Sequence, residues 1–148
     1  MKNIAIFASG SGTNAQKLME YFSTSKRAKV KLLLSNKPDA FVLERATNFS
    51  VPTMIFDRDD FYHKGRVMQK LKEKDIHFIV LAGFLWLVPP EIIKAYPRRI
   101  INIHPALLPG YGGKGMYGMK VHSAVIENKE RESGITVHYV NEKYDDGD

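Results

Sequence analysis

Cysteine is absent from all 148 residues, which excludes disulfides and any cysteine-ligated metal. No apolar run approaches the length of a membrane span, and the chain opens directly on a strand-like run with no charged-then-apolar leader. A soluble, cytoplasmic protein with no membrane partner is the expectation. Internal repeats, linkers and low-complexity tracts are also lacking. With 44% hydrophobic residues the chain has enough apolar content for one real core, so a single domain spanning 1–148 is expected. A formal net charge of +6 favours anionic partners. Yet the basic residues are scattered (Lys26, Arg27, Lys29, Lys31; Lys70, Lys72, Lys74; Arg98, Arg99) without the interleaved aromatics of a nucleic-acid platform. Most read as solvated faces, and charge alone does not decide the partner.

What the chain does have is an alternating rhythm of strand and helix. Strand-like runs fall at Lys2–Ala8, Val30–Ser35, Pro52–Phe56, His77–Ala82, Ile100–His104 and Gly134–Val140. Helical patterns fill the gaps at Asn14–Phe22, Ala40–Asn48, Phe61–Glu73, Pro89–Ala95 and Val121–Asn128. In the third helix Val67, Met68 and Leu71 form one apolar stripe among basic residues. Strands joined through single helices imply right-handed crossovers and a mostly parallel, doubly wound α/β sheet. Ligands of such sheets bind at the C-terminal ends of the strands. Four segments with chemical potential follow predicted strands: 9–14, 83–88, 102–104 and the loop at 144–148. Their convergence on one edge is the expectation.

The first of these, Ser9-Gly10-Ser11-Gly12-Thr13-Asn14, lies between a strand and a helix. That order presents backbone N–H groups and a helix N-terminus to an anion. Gly10 and Gly12 permit close backbone approach, while Ser11, Thr13 and Asn14 offer donors and a helix cap. Ala15 stands where a dinucleotide fingerprint needs its third glycine, and no Gly-Lys-Ser/Thr follows. A phosphate monoester therefore suits the loop better than a pyrophosphate. A plain strand-to-helix turn is the other reading.

The last strand candidate, Ile100-Ile101-Asn102-Ile103-His104, is apolar apart from Asn102 and His104. Residues two apart on a strand face the same way, so an amide and an imidazole are presented together just before Pro105. A structural histidine and a turn-forming asparagine would give the same pattern. His104, His122 and His138 fit no metal-ligand spacing, and no metal is expected.

Taken in order, four motifs carry a resemblance. They are Ser9-Gly10-Ser11-Gly12-Thr13-Asn14, Leu81-Ala82-Gly83-Phe84, the segment from Asn102 through Pro109, and Gly134-Ile135-Thr136-Val137-His138 with Tyr144-Asp145-Asp146-Gly147. The chain resembles the phosphoribosylglycinamide formyltransferase family from Met1 to Asp148. The Asn-Ile-His-Pro segment is shared with the wider group of 10-formyltetrahydrofolate enzymes, and the Ser-Gly-Ser-Gly-Thr-Asn loop narrows the match.

The resemblance implies a Rossmann-like domain that moves a formyl group from 10-formyltetrahydrofolate to the amine of 5-phosphoribosylglycinamide in purine synthesis. It implies catalytic roles for Asn102, His104 and Asp145; Asp146 and Asp148 are rival carboxylates, and Asp145 is chosen because it falls on the family's loop aspartate. It places the substrate phosphate on Gly12, Thr13 and Asn14. The folate falls along Leu85, Trp86, Leu87 and Val88 with Asn102; a core strand extension is the other reading of 85–88. Trp86 stands where the family more commonly has a basic residue. The glycine-rich stretch 110–118 reads as a lid over the formyl group or an inert loop, and His122 and His138 as structural. The family pattern continues with a strand and helix beyond Asp148, so a C-terminally incomplete domain is implied, as a monomer or homodimer. Two alternatives stay open: another 10-formyltetrahydrofolate-dependent formyltransferase or hydrolase, and a phosphoribosyl- or folate-binding fragment without turnover.

Overall fold

The structure, a computed structural model, describes residues 1–104 and 136–140. Its core is one six-stranded sheet of order β3-β2-β1-β4-β5-β6. The strands are β1 (Lys2–Phe7), β2 (Ala28–Ser35), β3 (Thr53–Ile55), β4 (Phe78–Ala82), β5 (Ile100–His104) and β6 (Thr136–Tyr139). The first five pair parallel, and β6 pairs antiparallel with β5 at the edge. The helices are α1 (Thr13–Ser23), α2 (Val42–Asn48), α3 (Arg58–Tyr62), α4 (Arg66–Glu73) and α5 (Pro90–Ala95). The predicted helix at 121–128 lies outside the described residues.

Strand alternation sends successive side chains into two separate cores. Ala5, Phe7, Leu32, Leu34, Ile79, Leu81 and Ile100 point to one face, where Phe61, Val67, Leu71 and Ile92 of α3, α4 and α5 cover them. Ile4, Ile6, Leu33, Val80 and Ala82 point to the other, under Ala15 and Met19 of α1 and Val42 and Ala46 of α2. This explains why β4 and the Leu32-Leu33-Leu34 portion of β2 are continuously apolar: both of their faces are buried. The doubly wound expectation is met.

One helical pattern is divided. The sequence reads 61–73 as one helix, whereas α3 ends at Tyr62 and α4 begins at Arg66. Gly65 between them has φ 67°, a left-handed conformation that breaks the helix and that glycine accepts without a Cβ penalty. The start is also earlier than predicted. Asp57 accepts from the Asp60 N–H at 2.8 Å while the Asp60 carboxylate accepts from the Asp57 N–H at 3.1 Å, a reciprocal capping box. The expected stripe survives the division: Val67 and Leu71 are buried and Met68 packs against them.

Because β1 leads outward to β2 and β3 and the chain then returns to place β4 on the other side of β1, the strand order reverses between β1 and β4. A crevice opens at such a reversal, beyond the C-terminal strand ends.

Candidate active site

Two loops flank that crevice, 8–12 after β1 and 83–89 after β4. Ser9 joins them. Its backbone N–H donates to the Gly83 carbonyl at 3.1 Å, and its Oγ accepts from the Leu85 N–H at 3.0 Å. The same hydroxyl donates to Oδ1 of Asn36, just beyond β2, at 2.6 Å. Three strand ends are therefore tied through one buried side chain.

The glycine loop is braced from α2. The Val42 N–H donates to the Gly10 carbonyl at 3.2 Å, and Arg45 Nε donates to the Ser11 carbonyl at 2.5 Å. The Arg45 guanidinium also bonds Gln16 Oε1 on α1. Gly12 is the N-cap, with φ 78°. A Cβ there would lie 2.1 Å from Val42 Cγ2, so the position combines a left-handed backbone with a close approach.

The expectation of a side-chain cap from Ser11, Thr13 or Asn14 is not met: no side chain caps α1, and its first turn carries no acidic residue. The first N–H groups of a helix have no intrahelical partner, so this end offers donors and the positive end of the helix dipole to an anion. Thr13 is exposed and Asn14 half-buried at that end.

Across the crevice, 84–88 is irregular backbone and not a strand continuing from β4, which removes the strand-extension reading. Leu85, Trp86 and Leu87 are half-buried, whereas Val88 is buried in the core with α5. Two main-chain groups of this wall are already engaged. Leu85 N–H is held by Ser9, and the Leu87 carbonyl accepts from the Tyr62 hydroxyl at 2.6 Å. The edge open to a ligand is narrower than the sequence suggests. Trp86 packs edge-on against Phe56 at 5.9 Å, with the Arg58 guanidinium 4.5 Å over its ring. The wall thus carries a cation on the face of its one indole.

Asn102 is half-buried on β5, level with Leu81 on β4 and with His138 on β6. Its neighbours Ile101 and Ile103 pack with the α1–α2 core, and Ile100 with the other. Alternation therefore puts Asn102 on the face shared with Phe84 and Trp86. The backbone of His104 ends β5 at the crevice edge.

Three of the four segments expected to converge, 9–14, 83–88 and 102–104, follow the C-terminal ends of β1, β4 and β5, and the fourth, 144–148, lies outside the described residues. Since β6 is antiparallel, Val140 leaves beside Ile100, at the opposite edge of the sheet, where its N–H donates to the Ile100 carbonyl at 2.9 Å. Asp145 is five positions farther and lies outside the described residues, as do Asp146, Asp148, His122 and the stretch 110–118.

Sequence reading missed Asn36 and Arg45, and took Ser9 only as the start of a loop. Asn36 follows a buried strand at the same sheet edge as the named segments, and that placement was the available signal.

Comparison with known proteins agrees with this architecture. A formyl transferase family profile matches residues 2–148. The chain is 43% identical over 152 residues to the chloroplastic phosphoribosylglycinamide formyltransferase of Arabidopsis thaliana, covering 99% of this chain and 52% of that protein. It is 35% identical to phosphoribosylglycinamide formyltransferase of Bacillus subtilis, covering 99% of this chain and 75% of that one. It thus spans about half the length of the plant relatives it matches. Among solved structures, phosphoribosylglycinamide formyltransferase from Bacillus halodurans superposes with a TM-score of 0.83 at 39% identity, covering 99% and 75% of the two chains. Glycinamide ribonucleotide transformylase 1 from Symbiobacterium toebii gives 0.86 at 30% identity, covering 99% and 69%. The chain belongs to the formyl transferase family, among its phosphoribosylglycinamide formyltransferases.

Proposed function

We propose that the protein transfers a formyl group from 10-formyltetrahydrofolate to the amine of 5-phosphoribosylglycinamide. The observation that carries this reading is the joined pair of loops at the β1/β4 reversal. An uncapped helix start suited to a phosphate lies on one side, a half-buried aromatic and aliphatic wall suited to a pterin on the other. Asn102 occupies the sheet face below that wall.

The phosphate rests on Gly12, Thr13 and Asn14, where the helix dipole and main-chain donors favour negative charge. The pterin lies along Leu85, Trp86 and Leu87. Val88, being buried, supports the wall from behind. The ribonucleotide amine attacks the formyl carbon, forming a C–N bond and a tetrahedral intermediate whose oxygen carries negative charge. The Asn102 amide N–H and a protonated His104 donate to that oxygen, and Asp145 orients His104 and accepts the amine proton. Collapse breaks the carbon–nitrogen bond to the folate, whose nitrogen leaves as an amine after taking up a proton. No step requires a metal.

Asn102→Ala, His104→Ala and Asp145→Ala, each in the intact enzyme, test the assignment. Loss of an oxyanion donor is expected to lower kcat by about 10²–10³-fold with little change in KM. Near-normal turnover in any of the three removes that residue from the catalytic group.

A further inference from the structure

Ser9 and Asn36 are polar side chains buried where an aliphatic pair would fill the space, with only 4% and 9% of their surface exposed. Asn36 commits its oxygen to Ser9 and leaves Nδ2 buried without a partner among the described residues. An orphaned buried donor is destabilising and uncommon, so a stability argument alone does not account for this pair. The geometry it enforces does. With its proton directed at Asn36 Oδ1, the Ser9 hydroxyl turns a lone pair to the Leu85 N–H, while the Ser9 main-chain N–H holds the Gly83 carbonyl. One residue therefore fixes both ends of the segment Gly83–Leu85 relative to the first residue of the glycine loop.

We propose that Ser9, oriented by Asn36, is a positioning residue that sets the separation and angle of the two substrate-bearing loops, and so of amine and formyl carbon. The inference rests on the formyl-transfer reading above. It differs from a contact role because Ser9 acts by holding the two loops together. Reaction between two bound molecules is sensitive to their relative placement: a displacement of about 1 Å costs on the order of 10²-fold in rate. Binding of each molecule to its own loop is far less sensitive.

The test uses Ser9→Ala, Asn36→Ala, the double variant and Ser9→Thr in the intact enzyme. Ser9→Ala and Asn36→Ala are each expected to lower kcat by roughly 10–100-fold, with KM for either substrate changing less than about threefold. The double variant is expected to be no slower than Ser9→Ala, since the two residues act as one unit. Ser9→Thr, which keeps the hydroxyl, is expected to recover most of the lost kcat. Unchanged kcat in Ser9→Ala overturns the proposal, as does a rise in one substrate's KM with kcat preserved, or an additive double variant. If Ser9→Ala does not fold, Asn36→Ala and Ser9→Thr decide on the same criteria. Hydrogen exchange at the Leu85 amide reads the bridge without turnover. Faster exchange in Asn36→Ala than in the unsubstituted protein supports it, and equal rates overturn it. Absence of formyl transfer by the unsubstituted enzyme would instead defeat the functional reading, leaving the exchange result to judge the bridge.

Discussion

At Gly12, two independent constraints fall on one residue. Its φ of 78° is costly for any residue with a Cβ, and a Cβ there would meet Val42 Cγ2 at 2.1 Å. The left-handed backbone alone costs roughly 1–2 kcal/mol, and displacing α2 adds to it. Gly12→Ala is therefore expected to lower thermal stability and to weaken 5-phosphoribosylglycinamide binding while largely sparing folate binding. Separate titrations of the two ligands check this, and equal loss of both would place the defect in the fold as a whole. The glycine itself was legible from sequence because strand, glycine turn and helix are contiguous. Ser9, Asn36 and Arg45 were not, since Ser9 bonds Asn36 and Leu85, 27 and 76 positions away, and Arg45 bonds Ser11, 34 positions away. Periodicity and local motifs carry no record of contacts made at that separation.

Single elements show the same division between local and distant causes. The β5 boundaries at Ile100 and His104 were legible because a short apolar run, interrupted only by Asn102 and His104, ends at a proline. The break between α3 and α4 was not read, because a glycine inside a helical pattern is compatible with either outcome until its φ is known. The direction of β6 was equally hidden, as an antiparallel edge strand has the same residue pattern as a parallel one.

The capping box that starts α3 carries a pH signature. The Asp60 backbone N–H, and to a lesser degree its side chain and the Lys64 charge, hold the Asp57 carboxyl below its ordinary value of 3.8. A carboxyl with a depressed folded-state pKa stabilises the fold above its unfolded value and loses that contribution as pH falls through the folded value. Asp57→Ala is expected to lower Tm at neutral pH, and the gap to the unsubstituted protein to close as pH drops below 3.8. Thermal melts across that range measure it; a gap independent of pH would show that the cap contributes no charge-dependent stability. Because α3 also carries Phe61 and Tyr62 beneath Trp86, the same variant is expected to loosen the 84–88 wall.

For the whole molecule, the arrangement has one logic. A sheet buried on both faces gives a rigid base, and the reversal between β1 and β4 brings two loops of different character to one opening. One loop is polar and rich in main-chain donors, the other apolar and aromatic. Such a pairing suits a reaction between a phosphorylated acceptor and a donor that presents a ring system to the apolar wall. The measurement that tests this most directly is steady-state formyl transfer from 10-formyltetrahydrofolate, run in parallel with three acceptors: 5-phosphoribosylglycinamide, its dephosphorylated analogue and an aminoacyl-tRNA. The account predicts efficient transfer to the phosphorylated ribonucleotide, a large loss of kcat/KM without the phosphate, and none to the tRNA. Equal use of the phosphorylated and dephosphorylated acceptors, or preference for the tRNA, would contradict it.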